Sequence, residues 1–219
     1  MAPFFGKIYS YANNPRVQKA LIAAKYNKLD VQESIISVGK ENTLPEFLAK
    51  FPLGKVPAFE GADGFTVYES NAIAYYVANQ EGTQLLGKNE KEAALVQQWV
   101  VFADNEFSQA AAAWLYPIFG IVPYNEEATN KAKENVKKSL TGLNRHLANK
   151  TFLVGERVTL ADIVLVTCLY DFFDLVFDPA FMAPFKHVQR WYVTAANQPH
   201  FKAVLGEVKL CQKMKVAKN

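Results

Sequence analysis

The chain has 219 residues, enough for one large or two small domains, and its composition (half apolar, 21% charged) is that of a globular protein and excludes a disordered or fibrous one. Its formal charge of +3 comes from Lys and Arg scattered along the sequence without a dense basic block, which argues against direct nucleic-acid binding. Cys168 and Cys211 stand far apart with no Cys or His at ligand spacing, so neither a disulfide framework nor a metal site is expected. With no leader-like segment and no apolar run of about 18 residues, the expected address is the cytoplasm, off the membrane.

Residues 4–10 read as a short strand. Asn13, Asn14 and Pro15 then signal a helix start, because Asn caps well and Pro is tolerated in the first turn. Val17, Ala20, Leu21, Ala24 and Tyr26 recur at helical spacing, and 29–36 alternates like a strand, which completes a β-α-β opening. A polar loop with Gly39, Lys40 and Asn42 leads to a short helix over 44–51, ended by Pro52, Leu53 and Gly54. Residues 55–60 read as a strand, and the turn 61–64 joins them to a second at 65–68, with a glycine supplying the unusual dihedral. Glu69 and Ser70 open an amphipathic helix to about Gln80. The βαβ-ββα order predicts a thioredoxin-like α/β domain over 1–81.

Residues 82–89 form a linker, and from 90 onward the pattern has helical period, so 90–219 is expected to be all-helical. The spacing predicts helices over 90–114, 126–147, 160–176 and 184–196, with a shorter one over 201–214. Val158, Thr159 and Asp162 have the form of a capping box behind a hydrophobic residue, and the helix they start is apolar nearly all round. Thr159 and Asp162 are therefore read as structural. His146, His187 and His200 have no nucleophile arranged beside them and read as surface or packing residues. Lys202, Lys209, Lys213, Lys215 and Lys218 face only Glu207 and read as a solvated end.

Val56-Pro57 and Glu69-Ser70 carry the site chemistry. A cis bond at Pro57 would leave the Val56 N–H and C=O available to an extended peptide, as to an added strand; a trans edge-strand Pro is the other reading. At a helix start, Ser70 can donate to a carboxylate and Glu69 can accept from an α-ammonium, so the pair suits an α-amino-acid end; the other reading is that either residue caps its own helix.

Together with Tyr9, Ser10, Tyr11 and Pro15-Arg16-Val17, these features resemble glutathione transferases of the theta/phi kind over the first 80 residues. The resemblance implies the glutathione-transferase fold (α/β plus all-α), with glutathione as ligand or substrate and no metal. In such enzymes a hydroxyl after the first strand donates to the thiol sulfur. Lowering a thiol pKa from 8.5 to about 6.5 takes about 2.7 kcal/mol. By this resemblance Tyr11 takes the hydroxyl position, with Ser10 adjacent, and packing is an equal role for Tyr11. Arg16 approaches the thiol or pairs with a carboxylate of the second domain such as Asp104. The glycyl end falls to Asn42 and Lys55, the cysteinyl backbone to Val56 and Pro57, and the γ-glutamyl end to Glu69 and Ser70.

A longer resemblance is carried by residues 43–47, 51–61, 69–77, 98–100, 102–104, 152–162, 198–199 and 201–211. These are similar to the gamma-subunit family of eukaryotic translation elongation factor 1 across nearly the whole chain. That family implies a scaffold: its transferase-like region binds the nucleotide-exchange subunit of the elongation factor complex and is followed by a Lys-rich linker and a further domain. Ending at Asn219, the chain is expected to be either truncated or a short relative. An exposed apolar patch on the helical domain would serve either that partner or a homodimer. The two functional readings are a docking module with a glutathione pocket and an active glutathione transferase.

Overall fold

The computed structural model describes residues 4–80 and 83–217 and divides into two compact units, 1–86 and 87–219. In the first, β1 (Phe4–Ser10), α1 (Pro15–Tyr26) and β2 (Asp30–Ile35) form the β-α-β opening. A 3-10 turn (Glu41–Thr43) and α2 (Pro45–Lys50) lead to the hairpin β3 (Ala58–Gly61) and β4 (Thr66–Tyr68), then α3 (Ser70–Ala78). The sheet order is β2-β1-β3-β4, with β1 parallel to β2 and antiparallel to β3, and β3 antiparallel to β4. Strand alternation sends Ile8 and Ser10 to one side, where both are fully buried, and Lys7 and Tyr9 to the other. Val17, Ile22, Phe59, Ile73 and Val77 make up much of the buried apolar core of this unit.

The second unit is helical: α4 (Glu90–Ala103), α5 (Gln109–Trp114), α6 (Glu126–His146), α7 (Leu160–Leu175), α8 (Pro179–Met182), α9 (Lys186–Ala196) and α10 (Pro199–Leu205). As its all-round apolar pattern requires, α7 is the buried centre. The Thr159–Asp162 capping box forms, and Asp162 does more than cap. Its Oδ1 accepts from the Leu153 N–H (2.9 Å) and Trp191 Nε1 (2.8 Å). Its Oδ2 accepts from the Thr159 N–H (2.9 Å) and Thr159 Oγ1 (3.1 Å). Packing also claims His146, whose Nε2 meets the Leu153 carbonyl at 2.9 Å and whose ring lies 4.6 Å from Trp99.

Four element boundaries differ from the sequence reading. The strand expected from Lys55 starts at Ala58, because Val56-Pro57 turns the chain before it can pair. The helix expected over 90–114 is interrupted by a π-turn, Asp104–Ser108, which the apolar period does not register. Between the helices expected over 160–176 and 184–196 the chain adds the short helix α8, which Asp178 caps by accepting from the Phe181 N–H at 2.9 Å. The last helix stops at Leu205 rather than Met214, since Gly206 takes φ +76° and the chain turns back. The tail then docks on the end of α7: the Cys211 N–H donates to Phe173 C=O (2.6 Å) and the Lys215 N–H to Leu175 C=O (2.8 Å). Those carbonyls would otherwise be unpaired at the helix end.

Candidate functional site

The end of β1 and the start of α1 are fastened by Asn14. Its Oδ1 caps the helix by accepting from the Arg16 N–H (3.0 Å), and its Nδ2 donates to Ser10 Oγ (2.9 Å). Ser10 is fully buried and Asn14 is 3% exposed. The Ser10 hydroxyl thus belongs to the cap, whereas Tyr11, in the turn, is 43% exposed and Arg16 is exposed. The three consecutive hydroxyl residues part company at this point. Tyr9 points to the α2 side and donates to Glu60 Oε2 at 2.5 Å.

Val56-Pro57 is cis, and Val56 lies ahead of Ala58, the first paired residue of β3. The Val56 amide therefore stands outside the ladder, ahead of the paired part of β3, as pairing with an extended peptide would require. Pro57 is buried and Lys55 exposed.

At α3 the helix start carries no side-chain cap. Glu69 occupies the cap position with φ +69° and ψ 118°, a region that non-glycine residues rarely adopt, and its side chain is exposed. Strain of this kind persists where the surroundings enforce it and concentrates at ligand-holding positions. The first turn of α3 is braced from below. Lys19 of α1, only 7% exposed, donates to Asn71 Oδ1.

Asn42 departs from the ligand role expected of it. Its Oδ1 accepts from the Gly39 N–H (2.6 Å) and its Nδ2 donates to Gly54 C=O (2.6 Å), so the amide is spent in clasping the ends of the loop around α2. Asn42 is 8% exposed, and Gly54 at φ +57° brings its neighbours so close that an added Cβ would lie 2.8 Å from the Asn42 carbonyl oxygen. The structure brings Val56, Pro57, Glu69 and Ser70 into the first unit, keeps Asn42 and Ser10 in structural roles, and leaves Tyr11, Arg16 and Lys55 at the surface. Sequence reasoning missed Glu60, which holds Tyr9, and Lys50, which pairs with Glu60, although the alternation of Lys7 and Tyr9 on one strand face was available as a signal.

A four-stranded mixed sheet of this order, with a cis Pro before β3 and an uncapped helix after β4, joined to an all-helical unit, is the architecture of the glutathione S-transferases. The N-terminal domain model of that family matches residues 5–79 and its C-terminal domain model residues 107–199, and the chain belongs to the glutathione S-transferase family.

Within that class the similarity is to elongation factor 1-gamma. The mouse protein is 51% identical over 215 residues, covering 95% of this chain and 48% of the relative. The chain therefore spans about half the length of the curated relatives it matches. Among solved structures, the GST-like domain of elongation factor 1-gamma from Saccharomyces cerevisiae aligns with a TM-score of 0.82 at 27% identity, covering 98% of this chain and 99% of that one. Poplar glutathione transferase F1 aligns with a TM-score of 0.78 at 26% identity, covering 91% and 96%. No helix among the described residues is long and apolar enough to cross a membrane.

Proposed function

We propose that this chain is a docking module of the elongation factor 1 complex, which binds the nucleotide-exchange subunit in the cytoplasm and carries a glutathione-type pocket. The observation that carries this reading is the 51% identity to elongation factor 1-gamma over 95% of the chain. Two features support it. The helical unit presents a run of exposed apolar side chains, Phe119 (47%), Ile121 (63%), Val122 (39%) and Tyr124 (40%), of the kind that a protein partner covers. In the other unit, Val56 outside the ladder and the uncapped start of α3 suit the backbone and the γ-glutamyl end of a peptide such as glutathione.

The test is co-elution of the chain with the recombinant exchange subunit in size-exclusion chromatography. Binding that is lost on Ile121→Asp, with the fold retained by circular dichroism, is the expected result. Failure of the unaltered chain to bind at any ionic strength removes the docking reading. The second reading, an active glutathione transferase, rests on the exposed hydroxyl of Tyr11 beside the α1 start. It requires conjugation of a chlorinated aromatic above the uncatalysed rate, reduced by Tyr11→Phe or Ser70→Ala. A rate equal to the uncatalysed one removes it.

A further inference from the structure

The segment from Gly39 to Pro57 bears Lys55 and Val56, yet little holds it. Its helix α2 has six residues, too few to be stable alone, and Leu44, Leu48 and Leu53 are 43%, 37% and 58% exposed. What fastens it to the sheet is a small apolar cluster, Phe47 and Phe51 with Ala58 of β3, on which Ile36 and Tyr9 pack, and Tyr9 adds the one polar tie. The Tyr9 ring stands edge-on to Phe47 (centroids 5.5 Å apart) and Phe51 (5.9 Å), whose own rings are 4.9 Å apart. Val56 packs on the same cluster.

The hydroxyl end of Tyr9 is fixed by a divided carboxylate. Glu60 Oε2 accepts from Tyr9 at 2.5 Å and has Lys7 Nζ at 3.6 Å, while Glu60 Oε1 accepts from Lys50 Nζ, the last residue of α2, at 2.5 Å. One carboxylate on β3 therefore ties β1 to α2. The Lys50–Glu60 pair alone, with the Lys50 side chain 44% exposed, would contribute little. The half-buried, charge-assisted bond from Tyr9 and the ring contacts it orients are the stronger part. Lys50, then Tyr9, hold the Glu60 carboxyl below its ordinary range, as such an arrangement requires.

We infer that Tyr9, oriented by Glu60, is a positioning residue: it latches α2 to the sheet and so holds the Val56 backbone in place for an extended peptide ligand. The ligand half of this statement rests on the glutathione-type pocket proposed above. The latch itself does not. Tyr9 faces away from the side of the sheet that buries Ser10, so it acts through Phe47, Phe51 and Val56 and not by touching the thiol.

The experiment is amide hydrogen exchange on the full chain, with a calorimetric titration of glutathione, for Tyr9→Phe, Glu60→Gln and, as a control on the exposed face, Lys28→Gln. The reporting amides are those of Phe47, Leu48, Phe51 and Gly54, which bond within the segment. Exchange at these four is expected to rise about fivefold in the first two variants, with α1 and α3 unchanged and the control silent. The glutathione Kd is expected to weaken about threefold or more.

Unchanged exchange at the four amides overturns the latch, as does an acceleration spread evenly over α1 and α3. Faster exchange with an unchanged Kd overturns the positioning role. If the unaltered chain binds no glutathione, the pocket reading fails, and the latch is judged by exchange alone.

Discussion

Removing the Asp162 carboxylate should cost more than a helix cap. The side chain is 0% exposed and serves four donors, of which only the Thr159 N–H belongs to the capping box. Losing the cap costs about 0.5–2 kcal/mol. Asp162→Ala also leaves the Leu153 N–H and Trp191 Nε1–H without an acceptor in a dry interior, at about 1–3 kcal/mol each. Relief of the carboxylate's own desolvation offsets part of this, so a net loss of about 3–5 kcal/mol is expected. For a chain of this size that lowers Tm by roughly 6–20 °C.

Urea unfolding followed by circular dichroism measures the loss. Trp191→Phe should cost about 1–2 kcal/mol alone and correspondingly less in the Asp162→Ala background, since its partner is already gone. A loss under about 1 kcal/mol, or strict additivity with Trp191→Phe, would refute the reasoning. The pH dependence supplies an independent check. Burial pushes the Asp162 carboxyl above its ordinary 3.8 against the pull of its donors, so the folded state holds that proton more tightly than the unfolded one. This contribution is complete below the unfolded value and is lost as pH rises through the folded value. The stability of the unaltered chain relative to Asp162→Asn, which does not titrate there, should therefore fall as pH rises from about 4.

Glu69→Gly should relieve the φ of +69° and stabilise the fold by about 0.5–1 kcal/mol while weakening glutathione binding; a destabilised variant would show that Glu69 is not strained. Ending the chain after Leu205 removes the bonds to the Phe173 and Leu175 carbonyls and uncovers the site of the buried Cys211, for an expected loss of about 2–4 kcal/mol in thermal unfolding. Unaltered stability would mean that the tail is not docked in solution. Glu60 has a depressed folded value, so its contribution is present above the ordinary 4.5 and disappears as pH falls through the folded value. Exchange at Phe51 and Gly54, corrected for the intrinsic rate, should accelerate on acidification in the unaltered chain and stay flat in Glu60→Gln.

The elements with strong periods were legible: β1, α1, α6 and α7 fall within a residue or two of where the apolar spacing puts them. The π-turn at Asp104–Ser108 was not, because it is defined by a switch of backbone hydrogen bonding that a run of residues with helical spacing on both sides does not report. Nor was the course of the tail, where Val208, Leu210 and Met214 suit a helix as well as a docked strap; the decision falls to Gly206 and to the open carbonyls of α7. At the site, the backbone parts were readable because Val-Pro and Glu-Ser stand at element boundaries. The roles of the polar side chains were not, since burial decides them. Asn42 looks like a loop ligand until Gly39 and Gly54 are seen on either side of it.

That division bears on what the proposed glutathione-type pocket can do. Recognition of a peptide backbone needs only Val56 outside the ladder and open N–H groups at α3, and both follow from chain geometry. Activation of a thiol needs one hydroxyl placed to donate to sulfur, a task that calls for about 2.7 kcal/mol of selective stabilisation. Of the three consecutive candidates, Tyr9 is committed to Glu60 on the α2 side and Ser10 to Asn14 inside the helix cap, which leaves Tyr11 in an exposed turn with a long side chain. An exposed side chain of that length must lose rotamer entropy to hold a donor against a thiol. Two of the three hydroxyls are thus spent on holding the fold together, and this is the physical reason for which the proposed reading favours docking and binding over turnover.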